Sequence, residues 1–155
     1  MTEDRRVAVI GAGAWGTALG MLLAEKDDFT VTLWSFEADV AESINEVHEN
    51  RYLPGVRLPE ALRAETDLSR TLKGASVVLS SSPAQFVRKV MTEAAPSVST
   101  DALVVSASKG IEIRTLLRMD QVLDQILPKE IMDRFCVLSG PGFAQEVAGH
   151  APTAV

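Results

Sequence analysis

The sequence predicts an α/β fold, a doubly wound and mainly parallel sheet with helices on both faces. Three observations predict it. Short apolar runs rich in branched residues alternate with helical segments along the chain. Those runs are apolar throughout rather than alternating, as in a sheet covered on both sides. The first of them, Val7 to Ile10, leads directly into Gly11-Ala12-Gly13-Ala14-Trp15-Gly16, and helix-forming residues follow from Thr17 to Lys26.

Each later element has its own local reason. Val31 to Trp34 reads as the second strand, after the charged turn Lys26-Asp27-Asp28. Glu37 to Val47 reads as a polar helix whose apolar positions are Val40, Ile44 and Val47. His48 to Pro59 holds two prolines and a glycine and reads as a loop or extended excursion. Ala64 to Thr66 reads as a short strand, and Asp67 opens a brief helix through Leu72 that Gly74 stops. Ser76 to Ser80 is the next strand. Pro83 starts a helix through Ala94, because proline fits a first turn. Ala102 to Ser106 is a strand that ends at the Lys109-Gly110 turn. Leu116 to Leu127 has helical spacing at Leu116, Met119, Leu123, Ile126 and Leu127. Cys136 to Leu138 reads as a further strand, Phe143 to Ala148 as a short helix, and Thr153 to Val155 as strand-like.

Composition bounds the function. At 155 residues, with 46% hydrophobic and 23% charged residues, the chain reads as one globular domain over residues 1–155. The net charge of −6 argues against general nucleic-acid binding. No apolar run is long enough to span a bilayer, and the start lacks a signal-peptide pattern. Cys136 is the only cysteine and cannot form an internal disulfide; its apolar neighbours predict a buried structural thiol, and a cytoplasmic location is expected. His48 and His150 have no second metal ligand at a telling spacing.

In a doubly wound sheet, ligands sit beyond the carboxyl ends of the strands. Those ends are residues 11–16, 35–37, 81–86, 106–110 and 139–144. In the glycine turn, Gly11 permits the bend, Gly13 lets the backbone approach a pyrophosphate, and Gly16 lets helix and strand come close. The helix start adds unpaired N–H groups and a positive dipole end. After the second strand, Ser35 occupies the usual acidic position and Glu37 follows two residues later. No Arg or Lys stands in this run to neutralise a 2′-phosphate, which favours NAD over NADP. The alternative reading of Glu37 is that it is only a favourable acid in the next helix's first turn. Phe36 reads either as an adenine contact or as core. Phe86, on the helix after Ser81-Ser82-Pro83, reads unaided as core packing. Lys109 is placed either to reach an anionic ligand or to lie solvated. Ser139-Gly140-Pro141-Gly142 before a short helix is a second place where backbone N–H groups can face an anion.

These blocks together resemble the N-terminal domain of NAD-dependent glycerol-3-phosphate dehydrogenases. The resemblance rests on GAGAWGTAL, LWSFE, HENRYLPGVRLP, SSPAQF, SKGIE and VLSGPGFAQEVAGHAPTAV, and spans essentially the whole chain. It implies a Rossmann-type domain whose residues Gly11, Ala12, Gly13, Ala14, Trp15 and Gly16 wrap the cofactor pyrophosphate, with backbone contacts at Ala14 and Trp15. It implies that Phe36 and Phe86 flank the dinucleotide, which moves Phe86 from core to cofactor contact. Lys109 then lies near nicotinamide and substrate, Gly140 and Gly142 contact substrate, and Ala144 contacts cofactor. Two departures stand out. Gly142 replaces a Ser or Thr of many members, and Ala14 replaces a Ser or Asn, so side-chain bonds at these places are not carried over.

The resemblance also implies a substrate pair, glycerol 3-phosphate and dihydroxyacetone phosphate, an NAD cofactor with NADP as the alternative, and a role in phospholipid precursor metabolism. Family members continue into a helical C-terminal domain that supplies a lysine base, so no catalytic residue is expected in this chain. The isolated domain is expected to keep cofactor affinity but to turn over little, and the full-length protein to be a homodimer. Two other readings remain at this point. One is a different dehydrogenase, of ketopantoate or phosphogluconate type, against which the SKGIE and SGPGFA blocks argue. The other is a non-catalytic nucleotide-binding or redox-sensing module.

Overall fold

The computed structural model describes residues 5–155. The chain runs β1 (Arg5–Ile10), α1 (Ala14–Ala24), β2 (Phe29–Trp34), α2 (Ala38–Glu46), β3 (Arg63–Glu65), α3 (Leu68–Leu72), β4 (Val77–Ser80), α4 (Ala84–Ala94), β5 (Leu103–Ser106), α5 (Met119–Asp124), α6 (Lys129–Met132), β6 (Phe135–Val137) and α7 (Ala144–Ala148). The strands form one sheet in the order β3-β2-β1-β4-β5-β6, and all neighbouring pairs are parallel. The doubly wound architecture expected from the alternation is therefore present. The order reverses at β1, between β2 and β4, which makes a crevice at the carboxyl edge there.

The sheet's two faces bury separate cores. Val7, Val9, Val31, Leu33 and Leu79 face α1, α2 and α7. Ala8, Ile10, Val78 and Val104 face α4, α5 and α6. Period-two alternation along apolar strands explains how each strand serves both. The excursion between α2 and β3 is irregular, as its prolines and glycine predict. It is anchored all the same: Leu53, Leu58 and Leu62 are buried in the α1-side core. Removing three such side chains from water stabilises the fold by roughly 1.5–3 kcal/mol each. Asp67 caps α3 by accepting from the Arg70 N–H at 2.8 Å.

Four expectations need correction. α1 begins at Ala14, not Thr17, so Ala14, Trp15 and Gly16 form its first turn. The helix expected over Leu116 to Leu127 shrinks to Met119–Asp124. Leu116 stands at φ +59° and is exposed, in a loop closed by the Glu112 N–H to Leu117 carbonyl bond. Arg118 and Gln121 then form a capping box that sets the start. Cys136 is exposed rather than buried, because β6 is a three-residue edge strand and presents that position outward. Thr153 to Val155 forms no strand; that segment instead lies against Gly140 and Gly142.

Candidate dinucleotide site at the sheet's carboxyl edge

The glycine turn sits at the switch point. Gly11 has φ +125°, and a Cβ there would come within 2.9 Å of the Ser82 backbone. Only glycine avoids both the strain and the clash. Gly16 meets a tighter limit, since a Cβ would lie 2.0 Å from the Gly11 carbonyl and 2.4 Å from Ser81 Oγ. Gly13 differs. It is the N-cap of α1, it is exposed, and nothing lies within 4 Å of the place a Cβ would take. Among the described residues no side-chain cap bond is made at this helix start, and its first turn carries no acid. The helix start therefore presents free donors and its positive dipole end to open space, as an anion requires.

Serines brace the turn. Ser81 Oγ donates to the Gly11 carbonyl at 3.1 Å, and Ser82 Oγ donates to the Ile10 carbonyl at 3.1 Å. Ser108 Oγ donates to the Ser82 carbonyl at 2.7 Å, tying the loop after β5 to the loop after β4. The small residues read in sequence as room for a ligand thus also satisfy carbonyls at the turn.

Trp15 and Lys109 join two strand ends. Trp15 Nε1 donates to the Ala107 carbonyl at 3.0 Å, and Lys109 Nζ stands 4.3 Å from the centre of a Trp15 ring. Lys109 Nζ also donates to the Gly142 carbonyl. Gly142 is buried, and a Cβ there would lie 2.7 Å from Thr153 Cγ2 and 3.4 Å from Trp15 Cη2. At Gly140 a Cβ would lie 2.4 Å from the Ala154 carbonyl. Ala144 begins α7, which packs on α1. The glycine turn, Lys109, Gly142 and the start of α7 are therefore one constellation.

The aromatic pair stands on either side of it. Phe36 follows β2 and is 81% exposed; Phe86 follows β4 and is 59% exposed. The core reading of both is thereby corrected, since neither is buried. Phe36 keeps an edge-to-face contact with Trp34, centroids 6.4 Å apart. Two large rings held in water at the mouth of a crevice are surfaces for a flat ligand.

The end of β2 departs most from the sequence reading. Ser35 is buried and forms a local turn with the Glu37 backbone, donating to its carbonyl at 2.9 Å. Glu37 is engaged by Arg51 at 2.9 Å and by the Tyr52 hydroxyl at 2.6 Å. A cation therefore does stand at this strand end, brought by the excursion rather than by the strand's own run.

Four further residues, Asn50, Arg88, Glu112 and Thr115, escaped the sequence reading. Asn50 is buried; its Nδ2 donates to the Ala12 carbonyl at 2.9 Å and to Thr17 Oγ1 at 2.8 Å, and its Oδ1 accepts from the Tyr52 N–H. It clamps the glycine turn from behind. Arg88 on α4 makes a two-pronged contact with the carboxylate of buried Glu112, both distances 2.8 Å, and Thr115 donates to the same group. Arg88 and Thr115 hold that carboxyl down to about 2. The pair pins the loop that carries Lys109. The signals were the HENRYLPG and SKGIE blocks, but neither shows its partner in linear order. Among the described residues, no group of three or more His, Cys, Asp or Glu is placed to hold a metal, and no helix is long and apolar enough to cross a membrane.

A parallel sheet in this order, with a glycine turn and an uncapped helix start at its switch point, defines a dinucleotide-binding domain. Comparison with known proteins narrows the class. Residues 6–155 match the family described as NAD-dependent glycerol-3-phosphate dehydrogenase N-terminus, and the chain belongs to that family. It is 46% identical over 151 residues to a glycerol-3-phosphate dehydrogenase [NAD(P)+] of a Geobacter species, covering 97% of this chain and 45% of the relative. A crystal structure of the enzyme from Coxiella burnetii superposes with a TM-score of 0.84 at 33% identity, covering 97% of this chain and 45% of that one. The enzyme from Saccharomyces cerevisiae gives 0.80 at 29% identity, covering 95% and 45%. The chain thus spans a little under half the length of the relatives it matches.

Proposed function

We propose that this chain is the cofactor-binding part of a glycerol-3-phosphate dehydrogenase. The observation that carries the reading is the open, uncapped start of α1 at Gly13, with Lys109 reaching toward it across the same edge. The residues present fit a nicotinamide dinucleotide. The N–H groups of Ala14 and Trp15, with the turn Gly11-Ala12-Gly13 and Gly16, take the pyrophosphate. Phe36 and Phe86 flank the dinucleotide, and Ala144 at the start of α7 adds a backbone contact. When bound, that cofactor supplies the hydride chemistry at the carbinol carbon of glycerol 3-phosphate.

Lys109 supplies a cation beside the site, and Gly140 and Gly142, whose missing side chains make room for residues 153–155, are proposed to contact substrate through their backbone alone. Its contact with Gly142 fixes the ammonium before substrate arrives, so little ordering remains to be done on binding. Removal of the substrate's hydroxyl proton needs a base within hydrogen-bond reach. No residue of this chain is assigned that role, and the chain alone is expected to bind without turnover. The working enzyme is proposed to be a cytoplasmic homodimer acting on the glycerol 3-phosphate and dihydroxyacetone phosphate pair, in phospholipid precursor metabolism.

Calorimetric titration of the folded chain with NADH and with NADPH tests the reading. Saturable one-to-one binding of NADH supports it. Binding of neither nucleotide by a chain with native circular dichroism refutes it.

A further inference from the structure

The charges at the end of β2 are not used by the reading above. Glu37 Oε1 accepts from both Arg51 Nη2 and the Tyr52 hydroxyl. Arg51 Nη1 is paired with Asp39. The guanidinium also lies 5.4 Å from the centre of the Tyr52 ring. Arg51 reaches this place from the excursion, whose own anchor is Asn50 beneath the glycine turn. Arg51 holds the Asp39 carboxyl below its ordinary range, so both partners are charged at neutral pH. Two carboxylates against one guanidinium leave one excess negative charge where the second strand ends. All three side chains keep substantial solvent exposure, so their pairing is exchangeable.

This is where a doubly wound domain reads the adenosine ribose. A free 2′-hydroxyl can donate to a carboxylate, whereas a 2′-phosphate needs a cation with open donors. We propose that Arg51 sets cofactor choice in this site: masked by Glu37 and Asp39 it excludes a 2′-phosphate, and unmasked it becomes the ligand for one. Arg51 and Tyr52 at the same time fix Glu37 as an acceptor for the ribose hydroxyls. This rests on the dinucleotide reading proposed above. It differs from a simple acid-at-the-strand rule, because the same chain already carries the cation that NADP requires.

The test uses three forms of the chain in titrations with NADH and NADPH. The wild type should favour NADH. Glu37→Gln with Asp39→Asn keeps the size and much of the hydrogen bonding of both side chains but removes two negative charges. It should raise NADPH affinity roughly tenfold, the scale of a screened charge change near a phosphate, and lower NADH affinity. Adding Arg51→Gln to that pair should abolish the gain. A wild type that favours NADPH, a double variant with unchanged preference, or a gain that survives loss of Arg51 would each overturn the proposal while leaving the dinucleotide reading standing. Failure of the folded wild type to bind either nucleotide would overturn both.

Discussion

The ammonium of Lys109 stands 4.3 Å from the centre of the Trp15 indole ring, so the loop after β5 and the first turn of α1 are held together by a cation–π contact. Trp15 Nε1 bonds back to the Ala107 carbonyl at 3.0 Å, so the two loops grip each other in both directions. Such a contact contributes about 0.5–1 kcal/mol at an exposed site. Its larger consequence is geometric, since it holds the lysine beside the glycine turn.

Replacing Lys109 with Met should therefore alter Trp15 emission with little change in stability. A Trp34→Phe background isolates the signal, because these are the only two tryptophans. Identical spectra with and without Lys109 would show that the contact is not populated in solution.

The two glycines of the turn should fail in different ways. At Gly16 a Cβ would lie 2.0 Å from the Gly11 carbonyl, so Gly16→Ala should lower stability by about 3 kcal/mol, the upper end for overpacking. At Gly13 the space is open, and Gly13→Ala should cost less than about 1 kcal/mol. The added methyl would instead stand between backbone and pyrophosphate, weakening NADH by about tenfold, or about 1.4 kcal/mol. Denaturant melts and nucleotide titrations of both variants separate the two effects.

Asn50→Ala should lower stability by about 1–3 kcal/mol, because it strands the buried Ala12 carbonyl and Thr17 hydroxyl without their donor. It should also loosen the turn that Asn50 supports. Urea unfolding checks the first expectation. Amide hydrogen exchange at residues 11–16 checks the second, where unchanged protection would contradict the clamp.

The Arg88–Glu112 pair should make stability depend on acid pH. Its direct bond to Arg88, and then Thr115, hold the Glu112 carboxyl at about 2, below the ordinary 4.5. A depressed folded value means that the contribution is complete above the unfolded value and fades as pH falls from about 4.5 toward about 2. Wild type should lose its advantage over Glu112→Gln across that window. A stability difference that stays constant from pH 5 to 2 would show that the pair does not couple to folding.

Much of the fold was legible because its causes are local. Strand runs, the glycine turn, the Asp67 cap and the proline start of α4 each depend on a few consecutive residues. The errors share a different cause. Leu116 fits a helical period, yet it sits outside α5 because Glu112 closes a loop with Leu117. Cys136 lies in an apolar run, yet β6 is an edge strand and exposes it. Phe86 looks like core by residue type, but it stands on the first turn of α4 and stays 59% exposed. In each case burial is set by what a neighbouring element does, and no local pattern records it.

The sequence by itself determined the class of the domain, its sheet edge and the residues that the strand ends carry there. The reason is that glycine turns, caps and apolar strand runs act through backbone constraints within a few residues. Only the tertiary structure decided how those residues are held and charged. It seated Asn50 under the glycine turn, set Lys109 against Trp15 and Gly142, pinned that loop through Arg88 and Glu112, and brought Arg51 onto Glu37. These contacts join segments that are distant along the chain, and their strength depends on distances that exist only once the sheet and the excursion have closed around the crevice.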